Sequence, residues 1–236
     1  MRDRPYAYGG RLVAPTKPGN DGHRPLGAGT AWRRVAAGFF CAQLRGDFQY
    51  RLQPLQLGVG VPRGPEIMSQ VVRIGLESHP DWVCCKLDFR NAFNMVSRVA
   101  FLRYAARHFP TLLLFLLAAY GAPAYITALG PDGWVRFLSR RGCTQGCPLG
   151  PLCHAAGLQP ALEQVHHGFP DVLLAALHDD VEIAGPPERV LLALQAMIAT
   201  ADIGAGLQPT GHKFVLYVQP RRDKKRTQPS GPRAVI

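Results

Sequence analysis

Three carboxylates stand out by type and setting. Asp88 closes the short apolar run Trp82-Val83-Cys84-Cys85-Lys86-Leu87, and Asp179-Asp180 sit between two further apolar runs, 172–177 and 181–184. Brought to one end of a sheet, three such groups repel, and a protein keeps them together most readily when divalent cations neutralise them. Two Mg²⁺ ions roughly 3.5–4 Å apart, with Mn²⁺ as a substitute, could then activate an attacking hydroxyl and stabilise a leaving pyrophosphate. An Asp-Asp pair on its own is ordinarily a solvated turn. The apolar runs on either side argue against that simple reading here.

The surrounding elements have to deliver these groups to one place. The first thirty residues are rich in Gly, Pro and Arg and read as loop or extended chain. A helix is predicted over 30–44, with Trp32, Val35, Phe39 and Phe40 as its apolar side, and Pro65 opens another carrying Ile67, Val71 and Ile74. After the strand ending at Asp88, Ser97 is a helix N-cap for 98–109, Pro110 closes that helix, and 111–120 forms the next. Residues 125–129 and 134–138 alternate as strands around Gly130-Pro131-Asp132-Gly133, a hairpin signature.

Pro151 opens a helix with Leu152, Ala155, Leu158 and Leu162 on one face, and Pro187 begins one with Val190, Leu194 and Met197. Residues 214–218 are a final strand. Setting aside the hairpin and its adjoining helix leaves βαββαβ, a ferredoxin-like core of the α+β class in which the strands bearing Asp88 and Asp179-Asp180 are neighbours. No internal repeat is found, and 220–236 reads as a basic disordered tail.

The 236-residue chain is 47% hydrophobic and 18% charged, enough to bury a core, and its formal net charge is +11. Residues 1–51 hold nine Lys/Arg against three acids, and 213–236 hold seven against one. A near-neutral centre between basic ends suits an acidic catalytic floor beneath a phosphate-gripping rim. Cysteines 41, 84, 85, 143, 147 and 153 read as reduced thiols, with the adjacent pair Cys84-Cys85 in an apolar stretch. Cys143, Cys147, Cys153 and His154 invite a zinc reading but lack a Cys-x₂-Cys knuckle. The longest apolar run, 112–119, is far short of the ~20 residues of a membrane helix, so a soluble, intracellular protein with no membrane contact is expected.

The wording around the carboxylates adds a resemblance. Lys86-Leu87-Asp88-Phe89-Arg90-Asn91-Ala92-Phe93-Asn94 closely resembles the first palm motif of non-LTR retrotransposon reverse transcriptases. Gln145-Gly146-Cys147-Pro148-Leu149-Gly150-Pro151 resembles their Gln-Gly-Asp-Pro-Leu-Gly-Pro segment, and Leu177-His178-Asp179-Asp180 their aromatic-x-Asp-Asp box. Gly206-Leu207 followed by Lys213 is similar to the next motif, which ends in lysine. Upstream, His23-Arg24-Pro25-Leu26 with Trp32-Arg33-Arg34-Val35 resembles the fingers motif, and Gln56-Leu57-Gly58-Val59-Gly60-Val61-Pro62 a stretch before the first palm motif. The likeness runs from about residue 17 to 217, with its motifs in the family's order.

That resemblance implies a right-hand polymerase: partial fingers over 1–80, a palm over 81–219 with the hairpin 123–139 toward the fingers, and no thumb. It implies RNA-directed DNA synthesis, with an RNA template, a DNA primer and dNTPs as partners and no stable protein partner. Asp88 and Asp179 would be the principal metal ligands, with Asp180 beside them and Phe89 counted in the metal site. Lys213 would assist as proton donor or electrostatic helper for pyrophosphate. Phe93 matches the steric gate against a 2′-hydroxyl, Arg24 the arginine near the triphosphate, and Gln145 with Gly146 the segment beside the template and nascent pair. Arg33, Arg34 and Arg63 would contact nucleic acid. A nuclear location would follow from the biology of retroelements.

The chain departs from the family pattern at Leu177 for the aromatic residue, Cys147 for the acid of Gln-Gly-Asp-Pro and Thr210 for the usual asparagine. With a thumb expected to be missing, a catalytically inactive, truncated remnant that at most binds nucleic acid is the competing expectation. An RNA-dependent RNA polymerase shares the palm logic but fits Phe93 and its neighbours poorly.

Overall fold

A computed structural model of the chain describes residues 9–13, 15, 26–210 and 214–218, and the backbone alone of 233–235. The chain begins with β1 (Gly10–Val13), β2 (Leu26–Gly29), α1 (Ala31–Gln43), α2 (Arg45–Leu52), α3 (Gly64–Ser78) and β3 (Val83–Leu87). It continues through α4 (Ala92–Met95), α5 (Arg98–His108), α6 (Pro110–Tyr120), β4 (Ala124–Gly130), β5 (Gly133–Ser139) and α7 (Gly150–Gly168). Last come β6 (Leu173–Leu177), β7 (Asp180–Gly185), α8 (Pro187–Ala205), β8 (Val215–Val218) and β9 (Arg233–Val235). The fold is of the mixed α+β class, as expected.

Two compact units interleave along the chain. One comprises Met1–Arg51 and Asn91–Gly157, the other Leu52–Arg90 and Leu158–Ile236.

The first unit holds a four-stranded sheet of order β2-β1-β4-β5. The predicted hairpin forms in register, Gly130 opposite Gly133 and Ala124 opposite Ser139, and β4 runs parallel to β1 through Gly10 opposite Ile126. Ser97 caps α5 as expected, its Oγ accepting from Ala100 N at 3.3 Å. Pro110 does more than close α5, since it occupies the first turn of α6, where its missing N–H costs nothing.

Helix α1 forms where predicted but turns the other way. Its buried residues are Arg33 and Ala37, while Trp32, Val35 and Phe39 face solvent, Val35 being 74% exposed; of the expected side only Phe40 is half-buried, against Phe115. The physical reason is a ring: the Arg33 guanidinium lies 4.8 Å from the centroid of buried Tyr120, a cation–π contact that makes the arginine the inward residue.

The second unit is built on a five-stranded sheet of order β6-β7-β3-β8-β9. Cys84 and Cys85 lie on opposite faces of β3 and both are buried, as expected of reduced thiols in a strand covered on both sides. Burial pushes the Cys84 thiol up to about 12. On the Cys84 face, Val72 and Leu76 of α3 pack with Ala184, Trp82, Leu173 and Tyr217. Helix α8 packs against β3 and β7.

The buried side of α3 is Met68, Val72 and Leu76, whereas the predicted side, Ile67, Val71 and Ile74, is exposed. The two apolar stripes lie one residue apart, and the chosen one carries Gly64 and Gly75, which bring the helix close to Leu57, Leu173 and Trp82. In the stretch expected as a tail, Arg233–Val235 pair antiparallel with β8; residues 219–232 and 236 lie outside the described residues.

Candidate active site

The apolar strand β3 is a rigid rod that ends at Asp88. Strand β7 pairs with it antiparallel, Leu87 opposite Val181, and β6 pairs with β7 down to Leu177 opposite Asp180. The two-residue connection His178-Asp179 therefore sits at the sheet end where β3 delivers Asp88. On its other side Asp88 is tacked down by main chain: its carbonyl accepts from Thr210 N at 2.9 Å, and Arg90 N donates to Gln208 O at 2.8 Å. Phe89, between these bonds, is buried and bridges to Pro209.

The electrostatics agree with this convergence. Burial pushes the Asp179 carboxyl above its ordinary value, and the Asp180 and Asp88 carboxylates push it the same way. Asp180 is drawn toward Lys86, whose Nζ lies 3.2 Å from Oδ2. Burial alone would lower the Lys86 ammonium, but Asp180, as charge and hydrogen-bond partner, together with Glu182 and Tyr217, turns the net shift upward. Burial likewise raises Glu182, opposite Lys86 on β7.

Among the described residues no three His, Cys, Asp or Glu side chains are grouped closely enough to hold one ion. That does not conflict with a magnesium site. Mg²⁺ keeps several waters and is commonly bound by one or two carboxylates plus substrate phosphates, not by an all-protein cage. Asp88 and Asp179, brought to one sheet end, are hard oxygen donors of the kind such an ion takes.

The turn itself is unusual. His178 takes φ of 57°, in the left-handed region that residues other than glycine visit rarely. Gln56, fully buried, makes three side-chain hydrogen bonds, two of them to His178. Its Oε1 accepts from His178 N at 2.8 Å and from Gly58 N at 2.9 Å, and its Nε2 donates to His178 O at 3.2 Å. Gln56 is seated by its own backbone, since Leu57 N donates to Ala176 O and Ala176 N to Leu55 O. The motif had contained Gln56 and Lys86 without giving either a role. The signal for Gln56 was a single amide between Leu55 and Leu57 in an apolar stretch.

The other predicted residues fall elsewhere. Phe93 is half-buried and stacks on His154 at 5.0 Å between ring centroids. Gln145 is half-buried and Gly146 exposed, with Gly146 N donating to Gly27 O at 3.1 Å. These lie in the first unit, the carboxylates in the second. Arg34 and Arg63 are exposed, whereas Arg33 is only 3% exposed and lies over the Tyr120 ring. Arg24 and Lys213 lie outside the described residues. Cys143, Cys147 and Cys153 are buried free thiols, and burial raises Cys143 and Cys153. Leu177 packs with Leu57, Met68 and Ala175. No helix among the described residues is long and apolar enough to cross a membrane.

This fold is shared with solved telomerases. It is similar to apo telomerase from Candida tropicalis truncated from its C-terminal domain, with TM-score 0.61 and 14% identity, over 90% of this chain and 50% of that one. It is also similar to telomerase from Candida albicans in complex with the TWJ fragment of telomeric RNA, with TM-score 0.63 and 12% identity, over 88% of this chain and 42% of that one. The chain thus shares its fold with these telomerases and is similar in sequence to a retrotransposable element protein. In sequence it is similar to the retrotransposable element SLACS 132 kDa protein of Trypanosoma brucei gambiense, 29% identical over 189 residues. That match takes in 76% of this chain and 15% of the length of that protein. No family model matches the chain.

Proposed function

We propose that this domain is an RNA-directed DNA polymerase that adds dNTPs to a primer 3′-hydroxyl on an RNA template by two-metal nucleotidyl transfer. The observation that carries the proposal is the pairing of β3 with β7, which sets Asp88 and the Asp179-Asp180 turn at one end of one sheet. The strand order β6-β7-β3-β8, with α8 between β7 and β8, supports reading that sheet as a ferredoxin-like palm.

Asp88 and Asp179 would hold Mg²⁺, with Asp180 beside them and the main chain at Phe89 bordering the site. When bound, the ions supply the charge that lowers the pKa of the primer hydroxyl and neutralises the departing pyrophosphate. The chain's own residues position and select. Phe93 would exclude a 2′-hydroxyl on the incoming nucleotide, and Gln145 with Gly146 would lie along the template and nascent pair. Arg24 would meet the triphosphate, and Lys213 would donate a proton or a positive charge to pyrophosphate. Arg34 and Arg63 are the exposed candidates for backbone phosphate contacts.

One observation favours a second reading, a catalytically silent nucleic-acid binder: Lys86 already pairs with Asp180. Primer extension on an RNA template with dNTPs and Mg²⁺, beside the Asp179→Ala/Asp180→Ala double variant, decides between them. Extension that vanishes in the variant establishes the polymerase. A folded chain that binds template-primer and extends nothing selects the silent binder.

A further inference from the structure

The turn bearing Asp179 is not held by its own sequence. A two-residue hairpin turn with a left-handed first residue ordinarily has glycine there, and this one has His178. Left alone, the strand pair would relax toward turns that His prefers, and the Asp179 carboxylate would swing with the backbone. The contacts that prevent this come from 122 residues away in sequence. Gln56 satisfies both the N–H and the C=O of His178, and the same Oε1 ties in Gly58 N, so one side chain fixes turn and clamp together.

The surroundings are shaped for that clamp. A Cβ on Gly58 would come within 2.7 Å of His178 N and Nδ1, so only glycine lets this segment lie against the turn. The isolated parallel bridge between Gln56 and Ala176 fixes where along β6 the amide arrives. A buried amide of this kind is costly unless its hydrogen bonds are made. An apolar side chain of the same length would suit the flanking Leu55 and Leu57 equally well, so packing alone gives no reason for glutamine here.

We infer that Gln56 is a positioning residue: it holds the His178-Asp179 turn in the conformation that presents Asp179 to a divalent cation. The inference rests on the metal site proposed above, and its test separates the two. Gln56→Met keeps the buried volume and removes all three bonds. Gln56→Glu keeps the shared acceptor, loses the donation to His178 O and, when ionised, sets a carboxylate oxygen against that carbonyl. The full chain is titrated with Mn²⁺ alone, followed by water-proton relaxation, and amide hydrogen exchange is read at His178 and Asp179.

Gln56→Met is expected to weaken Mn²⁺ binding about 10-fold. It should speed exchange at His178 by at least the same factor, while amides of β3 stay protected. Gln56→Glu should fall between Gln56→Met and wild type on both scales, and it carries the test should Gln56→Met not fold. Wild-type Mn²⁺ affinity and wild-type exchange in these variants would overturn the inference, leaving Gln56 a filler of the core. A wild-type chain that binds no Mn²⁺, with fast His178 exchange only in the variants, would sink the metal reading and uphold the clamp.

Discussion

Among the described residues, two antiparallel hairpins have two residues between the closing pair, and they solve the same problem in opposite ways. Between β4 and β5, Pro131-Asp132 join Gly130 to Gly133, and the positive φ falls on Gly133, at 115°. Between β6 and β7, His178-Asp179 join Leu177 to Asp180, and the positive φ falls on His178. A side chain in the left-handed region costs about 1–2 kcal/mol that glycine does not incur. The first hairpin avoids that cost through its sequence. The second carries it and is stabilised by Gln56 from outside, the pattern found where a backbone conformation serves chemistry.

The largest test of this contrast is catalytic. Asp179→Asn should cut primer extension by more than about 100-fold, since even residues that only support metal ligands are worth 10–100-fold. Asp132→Asn, at the matching place in the other hairpin, should leave extension unchanged. Next in size, Gln56→Ala should lower unfolding stability in urea by about 2–3 kcal/mol, because buried partners are left unsatisfied. A smaller effect separates the turns themselves. Gly133→Ala should cost about 1–2 kcal/mol through backbone strain alone, as its Cβ meets nothing within 4 Å. His178→Gly should change stability by less than about 1 kcal/mol, since strain relieved is offset by a freer unfolded chain.

The smallest expected effect is on pH dependence. Burial, with Asp180 and Asp88 nearby, holds the folded Asp179 carboxyl above its ordinary 3.8, and burial raises Glu182 from 4.5. The stability these groups contribute is fully present below those ordinary values and is lost as pH rises through the higher folded ones. Thermal unfolding without metal should therefore show stability falling across that window, less so in Asp179→Asn. Adding Mg²⁺ above the window should restore stability in wild type and not in the variant. Equal slopes in the two proteins would show that Asp179 is not the group responsible.

The sheet end was legible in the sequence because mostly apolar runs lead up to Asp88 and flank Asp179-Asp180. The hairpin was legible from Gly130-Pro131-Asp132-Gly133 and the alternation on either side. Helix faces were harder. In α1 and α3 the apolar residues form two adjacent stripes, and periodicity alone favours the bulkier one. Burial follows instead the stripe that fits: Arg33 beneath a ring in α1, and the glycine-edged side of α3. The short, glycine-rich β1 and β2 carry almost no pattern of their own and are defined by pairing. Gln56 could be seen as an odd polar residue, but its partner is remote, and nothing local names His178.

The interleaving of the two units has a consequence for synthesis on the ribosome. Strand β3 leaves the exit tunnel well before β7 and β8, and the whole of Asn91–Gly157, which belongs to the other unit, is made in between. At usual translation speeds that leaves β3, with Cys84 and Cys85 on its two faces, without either neighbouring strand for on the order of ten seconds. Its first apolar shelter within its own unit is helix α3, translated just ahead of it and seated against it in the finished fold. The helix before β3 is thus the first apolar cover that the nascent strand can meet within its own unit.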